Sequence, residues 1–259
     1  VLKRWAVPWN WQTISLTSIA CGLSFVLTGL IEAGALEYSG LNVETLSLDE
    51  KAGILFLDQL IATTAVLAVL FSLTKSLSPL PYDIYRYDWR GPLDLKRGWL
   101  LWAAIGLGGG LASVALTATV TSLLQGEPPH REVDALVRLL PLIGSSKIST
   151  ACLVGIAGVL APLLEETVFR GFLMVSLTKW FPTPVSVVIS AAIFSAAHLT
   201  PSEFPQLFAL GAALGFSYAQ TRNLLTPIAI HAVWNSGVIL LLAFLQLQGY
   251  DIREVIQGS

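Results

Sequence analysis

Glu165 and Glu166 stand side by side in the stretch LAPLLEETVFRGFL (160–173), and Arg170 follows four residues after the second of them. The rest of that stretch is apolar apart from one threonine. At i, i+4 the side chains of Glu166 and Arg170 share a helix face and can pair. Glu165 is turned about 100° away around the same helix. It has no local counter-charge and needs donors from other helices. Two of the three histidines also lie in apolar runs: His198 closes AAIFSAAH, and His231 opens HAVWN. Phe194 and His198 are spaced i, i+4, and so are His231 and Asn235. A carboxylate can take a proton from water, an imidazole can hold or relay it, and an amide NH₂ can stabilise an oxyanion. Glu165, His198 and His231 together are equally a donor set for a metal.

Each feature also has a structural reading. Glu166 with Arg170 can be a helix-stabilising ion pair, a lone intramembrane histidine can bond a neighbouring carbonyl, and an asparagine can hold two helices together. Phe194 reads as packing. The structural readings are strained by the pattern as a whole. Glu166, Arg170, His198, His231 and Asn235 all belong to three i, i+4 pairs within apolar runs, and a charge at the centre of a membrane helix costs roughly 2.5–3.5 kcal/mol. Asp58, near one end of an earlier run, is left as structural.

The elements that must position these groups are membrane helices. Of the 259 residues, 54% are hydrophobic and 12% charged, against about 25% charged in ordinary soluble domains. A bilayer core of about 30 Å takes about 20 apolar residues of helix. Apolar runs cover Trp11–Ile31, Gly53–Thr74, Trp99–Leu124, Thr150–Trp180, Pro184–His198, Phe204–Gln220 and Leu224–Leu247. The expected fold is all-α, a polytopic transmembrane bundle of seven spans, or eight if the fourth run breaks at Pro162. Residues 1–149 hold N-terminal helices without a motif. Residues 150–247 form the core that bears the motifs, and 248–259 a polar tail. The loop Gly126–Ser149 has room for a short interfacial helix.

The first loop (32–52) carries Glu32, Glu37, Glu44, Asp49 and Glu50 against Lys51, whereas 75–98 carries Lys75, Arg86, Arg90, Lys96 and Arg97. Basic loops stay cytoplasmic, which places the N-terminus in the cytoplasm, with Lys3 and Arg4 flanking an uncleaved anchor. A net charge of -2 points to no nucleic acid; the expected partners are the lipid bilayer and a peptide or protein substrate. Cys21 and Cys152 lie in apolar runs and read as small buried hydrophobes. Gly106, Gly108, Gly109 and Gly110 lack the strand and lysine of a nucleotide loop and read as sites of close helix packing.

EETVFR fits Glu-Glu-x-x-x-Arg, FSAAH fits Phe-x-x-x-His, and HAVWN fits His-x-x-x-Asn. In this order and on separate helices, the three motifs resemble those of the type II CAAX prenyl endopeptidases, also called the CAAX protease and bacteriocin-processing (CPBP) or self-immunity family. The motifs lie within about 150–240, and the first three spans carry no family signal. The resemblance implies an intramembrane endopeptidase in which Glu165 activates water and His198 assists it. Glu166 pairs with Arg170 to hold the helix, and His231 with Asn235 forms the oxyanion site. Members are commonly labelled metalloproteases, which implies a divalent metal such as zinc. A metal-independent, glutamate-driven route competes with that label, and this sequence has no HExxH. The substrate implied is a CAAX-type, lipidated or other membrane-associated peptide. The alternative is a non-proteolytic immunity or scaffold protein of the same family.

Other readings fit less well. A serine protease built on GFSY (215–218) with His231 would leave both glutamates, Arg170 and His198 without employment. An aspartyl protease needs two aspartates in neighbouring spans. A proton-coupled transporter would show paired broken-helix repeats. The catalytic reading has one geometric tension. With 1.5 Å per residue, Glu165 lies about 22 Å along its run and His198 about 21 Å along an oppositely directed one. Across a core of about 30 Å, their depths would differ by roughly 10 Å.

Overall fold

The computed structural model describes residues 2–125 and 139–250. Among them there are seven helices of appreciable length and no strand. We label them α1 (Trp11–Tyr38), α2 (Leu48–Lys75), α3 (Trp99–Gln125), α4 (Lys147–Leu177), α5 (Thr183–Ala197), α6 (Phe204–Thr221) and α7 (Leu225–Leu247). They fall on the seven apolar runs. Five of them, α1 to α4 and α7, are long and apolar enough to cross a membrane. Helix α5, with 15 residues, spans only about 22 Å at 1.5 Å per residue, so the expected span over Pro184–His198 falls short of a full crossing. On α1 the large apolar side chains of Leu16, Leu23, Leu27 and Leu30 are exposed, as suits a surface that meets lipid rather than water. Most of the expected interfacial helix, 126–138, and the tail 251–259 lie outside the described residues.

Local chemistry sets several helix ends. Ser47 and Glu50 form a reciprocal capping box at the start of α2. The side chain of Ser146 accepts from the Ser149 N–H at the start of α4. Pro184 and Pro205 sit in the first turns of α5 and α6, where a missing N–H costs nothing. Helix α6 stops at Arg222, whose backbone is left-handed.

Helix α4 does not break at Pro162. Proline offers no N–H to Gly158, four residues back, and its ring crowds that carbonyl. The turn ahead of it, Ile156–Leu160, widens to a π-helix, and the Ala161 N–H donates five residues back to Ile156. A second π-helical stretch covers Glu166–Met174. The charged motif therefore sits at a junction between α- and π-helical backbone.

The described residues divide into two compact units, each drawing on both sides of residue 150. The first contains 2–14, 77–125 and 165–231. In it α6 packs against both α3 and α5. A Cβ on Gly106 would lie 2.2 Å from Ser217 Oγ, and one on Gly110 would touch Ala213 at 3.6 Å. Gly108 and Gly109 have nothing within 4 Å. The glycine cluster thus serves helix packing at two positions one turn apart, and Ser217 is a contact residue of that interface. The residues ahead of α1 are more than a basic flank. Trp5 and Trp9 are buried; Trp5 stacks on Tyr218 and Trp9 lies against Phe172. Trp9 Nε1 donates to Ser176 Oγ at 2.8 Å, and Arg222 donates to the carbonyls of Lys3 and Arg4.

The second unit contains 15–76, 139–164 and 232–250. Its core joins Ala52, Leu142, Ile143, Leu153, Ile239 and Leu242. Asp49, in the first turn of α2, accepts from the hydroxyls of Ser146 and Ser149 at the start of α4. Cys21 and Cys152 are both free thiols.

Candidate active site

The Glu166–Arg170 pair forms as its spacing predicts, with Nη1 2.9 Å from Oε1. Both side chains are withdrawn from the surface, at 0% and 1% exposure. Two further contacts complete this buried cluster. Arg170 Nη2 donates to the Gly211 carbonyl on α6 at 3.1 Å, and the guanidinium lies over the Phe194 ring, 4.3 Å from its centroid. Glu166 Oε1 also meets His231 Nδ1 at 2.7 Å. With Arg170 holding Glu166 as a carboxylate, that oxygen accepts and His231 Nδ1 carries the hydrogen.

His198 is fixed in a parallel way. Its Nδ1 lies 2.8 Å from the Phe194 carbonyl. A carbonyl only accepts, so Nδ1 again carries the hydrogen. In the neutral rings, both Nε2 atoms are then lone-pair acceptors. Both face Glu165: Nε2 of His198 is 3.9 Å and Nε2 of His231 3.8 Å from Glu165 Oε2. These distances are too long for direct hydrogen bonds and suit a bridging water. Glu165 Oε2 is itself shielded and has no hydrogen-bond partner among the described residues. Glu165 and His198 are nevertheless partly open, at 26% and 31% exposure. Three acceptors converging with no donor of their own call for a species that brings hydrogens or positive charge.

The tension over depth resolves at the turn that joins α4 to α5. Glu165 lies twelve residues before Leu177 and His198 fifteen residues after Thr183, so both are reached from one shared turn, and His198 Nε2 stands 3.9 Å from Glu165 Oε2. Helix α5 is shorter than a full crossing, so its run does not have to start at the opposite face of a membrane.

Glu165, Glu166, Arg170, His198 and His231 are thus brought together in the first unit. Asn235, one turn beyond His231 on α7, falls in the second unit. There its Nδ2 donates to the Ala157 carbonyl at 3.2 Å, inside the first π-helical turn. Sequence reasoning missed Gly211, since every residue has a carbonyl and nothing marks this one. Phe194, read as packing, is fully buried against Phe169.

A metal needs closer ligands than these. Tetrahedral zinc with bonds of about 2.0–2.1 Å holds its ligand atoms roughly 3.3–3.4 Å apart, less than the spacing here. The two-histidine, one-carboxylate donor chemistry suits zinc. Among the described residues, however, no group of three or more His, Cys, Asp or Glu side chains is arranged to hold a metal ion.

Residues 147–237, which contain all three motifs, match the family described as type II CAAX prenyl endopeptidase Rce1-like. Over 187 residues the chain is 22% identical to YdiL of Bacillus subtilis (strain 168), which is named as a candidate membrane peptidase; the match covers 70% of this chain and 73% of YdiL. It is 30% identical over 88 residues to the membrane-embedded CAAX protease MroQ of Staphylococcus aureus (strain USA300), covering 32% of this chain and 36% of MroQ. No solved structure matches the chain. The family resemblance read from the motifs holds over 147–237. With five helices of crossing length, the chain is a multi-pass membrane protein.

Proposed function

We propose that this membrane protein, through its CAAX endopeptidase-type segment 147–237, is an intramembrane endopeptidase that hydrolyses a peptide bond with water activated by Glu165. The observation that carries this reading is the convergence of the unpartnered Glu165 Oε2 with the Nε2 atoms of His198 and His231, 3.9 and 3.8 Å away. A water placed among them gives one hydrogen to Glu165 and the other to a histidine. Glu165 takes the first proton as the water oxygen bonds to the substrate carbonyl carbon. The resulting oxyanion needs a donor, and the family resemblance offers Asn235 and His231 for that role, His231 only where its Nε2 also carries a hydrogen. The proton on Glu165 then passes to the leaving nitrogen as the C–N bond breaks, giving a carboxylic acid and an amine. Arg170 neutralises Glu166, which leaves Glu165 as the uncompensated carboxylate of the cluster.

The substrate class in this reading is a CAAX-type or other membrane-associated peptide, supported by the family description of residues 147–237 and by the CAAX protease among the relatives. The basic loop 75–98 supports a cytoplasmic N-terminus. A divalent metal, if bound, would be held by Glu165, His198 and His231 drawn closer together than their present spacing and would polarise the water.

The test uses purified protein in detergent with quenched peptides, some farnesylated, comparing wild type with Glu165→Gln, with and without a strong chelator and zinc add-back. Cleavage by wild type that is lost in Glu165→Gln is the expected result. Loss of activity to chelator, restored by zinc, would add a metal. Equal cleavage by both proteins would overturn the mechanism. Absence of cleavage in both, with cellular function retained in Glu165→Gln, would favour the immunity or scaffold alternative.

A further inference from the structure

We propose that Gly211, which lies outside all three motifs, and Phe194 are positioning residues of this site: together they brace Arg170 and hold the two histidine rings toward Glu165. The proposal rests on the peptidase reading for its kinetic arm only.

Gly211 has two roles that no larger residue reproduces without displacement. Its carbonyl, in the middle of α6, accepts from Arg170 Nη2 at 3.1 Å, using a lone pair beyond the helical one. Its missing Cβ leaves room for α5. A Cβ there would stand 3.1 Å from Phe194 Cδ1 and 3.3 Å from both Cα and Cβ of Ala191. Two of those three atoms belong to a helix backbone and its first side-chain carbon, so relief requires either α5 to retreat or the Phe194 ring to turn.

The Phe194 ring is the part that cannot turn freely. It is fully buried and carries the Arg170 guanidinium on its face at 4.3 Å. Its centroid is 4.6 Å from that of His198, 6.1 Å from that of His231 and 5.4 Å from that of Phe169. Its backbone carbonyl fixes the hydrogen of His198 on Nδ1. One side chain thus touches Arg170 and both imidazoles, while its own carbonyl sets which nitrogen of His198 is bare. A displacement of a few tenths of an ångström at Gly211 reaches all of them through it. Arg170 shares Glu166 Oε1 with His231 Nδ1, so a shift of the guanidinium also alters the bond that orients His231.

The experiment compares wild type, Gly211→Ala, Phe194→Leu and Gly110→Ala. The last is the packing control, since its Cβ meets Ala213 at an ordinary 3.6 Å on another face of the same helix. The first readout is the ring ¹⁵N and ¹H spectrum of ¹⁵N-histidine-labelled protein in micelles, assigned by single His→Gln variants. Wild type should show hydrogen on Nδ1 and bare Nε2 at both His198 and His231. In Gly211→Ala and Phe194→Leu both sets of signals should move, and in Gly110→Ala neither. The second readout is cleavage of a quenched peptide that wild type cleaves. There kcat should fall about tenfold with KM unchanged, because sub-ångström misplacement of a reacting group costs rate rather than binding.

Histidine signals and kcat in Gly211→Ala and Phe194→Leu that match the Gly110→Ala control would overturn the proposal. If Gly211→Ala is not recovered folded, Phe194→Leu decides alone. A Glu165→Gln protein that cleaves like wild type would remove the peptidase reading, and the histidine signals would still decide the positioning claim.

Discussion

The charged cluster has two halves built on opposite principles. Glu166, Arg170, His231 Nδ1 and the Gly211 carbonyl form a closed half, with Glu166 Oε1 shared by Arg170 and His231 and both Glu166 and Arg170 buried. Glu165 and His198 form an open half, partly exposed and 3.9 Å apart; among the described residues one carboxylate oxygen of each glutamate has no hydrogen-bond partner, and only that of Glu165 belongs to a side chain open to entering groups. Neighbours in sequence therefore do different work. Glu166 spends its charge on holding α4 to α6 and α7, and Glu165 keeps its charge for whatever enters. A buried pair adds little net stability over an apolar replacement, but removing one partner leaves a stranded charge. The closed half is thus expected to fail as structure and the open half as chemistry.

That contrast can be broken by single substitutions. The largest effect falls on Glu165→Gln, where peptide cleavage should drop by about 10²–10⁴-fold while the thermal midpoint in detergent stays near wild type. A large loss of stability in this variant would show that the open half is structural after all. Glu166→Gln should behave in the reverse sense. It leaves Arg170 buried without a counter-charge, at a cost of about 3–5 kcal/mol, visible as a lower thermal midpoint and poor recovery from membranes. Exchanging both Glu166 and Arg170 for apolar residues should restore part of that stability.

Smaller effects test the scaffold. Gly106→Ala places a Cβ 2.6 Å from Ile230 Cδ1 as well as against Ser217. Ile230 adjoins His231, so overpacking of about 1–3 kcal/mol should lower the thermal midpoint, whereas Gly108→Ala, with open space around it, should not. The smallest effect concerns the loop before α3. The guanidinium of Arg90, and then that of Arg86, beside Asp88 hold its carboxyl well below the usual carboxylate range. A lowered pKa gives a contribution that is complete above the unfolded value of about 3.9 and is lost only as the pH falls through the folded one. The amide-exchange protection factors of residues 86–90, which correct for the intrinsic pH dependence of exchange, should therefore be the same at pH 7 and pH 5, and exchange there at a fixed pH reports the loop's stability. Asp88→Asn should raise exchange at both, although Asn223, bonded to the Asp88 backbone, keeps the loop in place.

Much of this site was legible before any coordinates because it is local. A period of 3.6 residues puts Phe194 over His198 wherever the helix lies, the four-residue spacing of Glu166 and Arg170 still pairs them where the backbone widens to a π-helix, and the scarcity of charge made Glu165 conspicuous. The depth of the two groups was misjudged because a hydropathy run does not show where a helix enters the bilayer, and α5 is too short to cross it. The widened turns of α4 were only half legible. Pro162 announced a defect at a known place, but whether a helix breaks, kinks or widens depends on what packs around it.

What the amino-acid sequence determined by itself, then, was the set of apolar helices, five of them of crossing length, the local ion pair and the polar cluster apart from Asn235, since these depend on apolar length and on residue spacing. The tertiary structure alone decided that both imidazoles turn their Nε2 atoms toward Glu165, that an unmarked glycine carbonyl receives Arg170, and that Trp5 and Trp9 dock before the first helix begins. Those outcomes depend on how closely helices approach and on which backbone atoms come into reach. Backbone carbonyls carry no residue identity, and approach distances are set by small side chains on a partner helix distant in the chain.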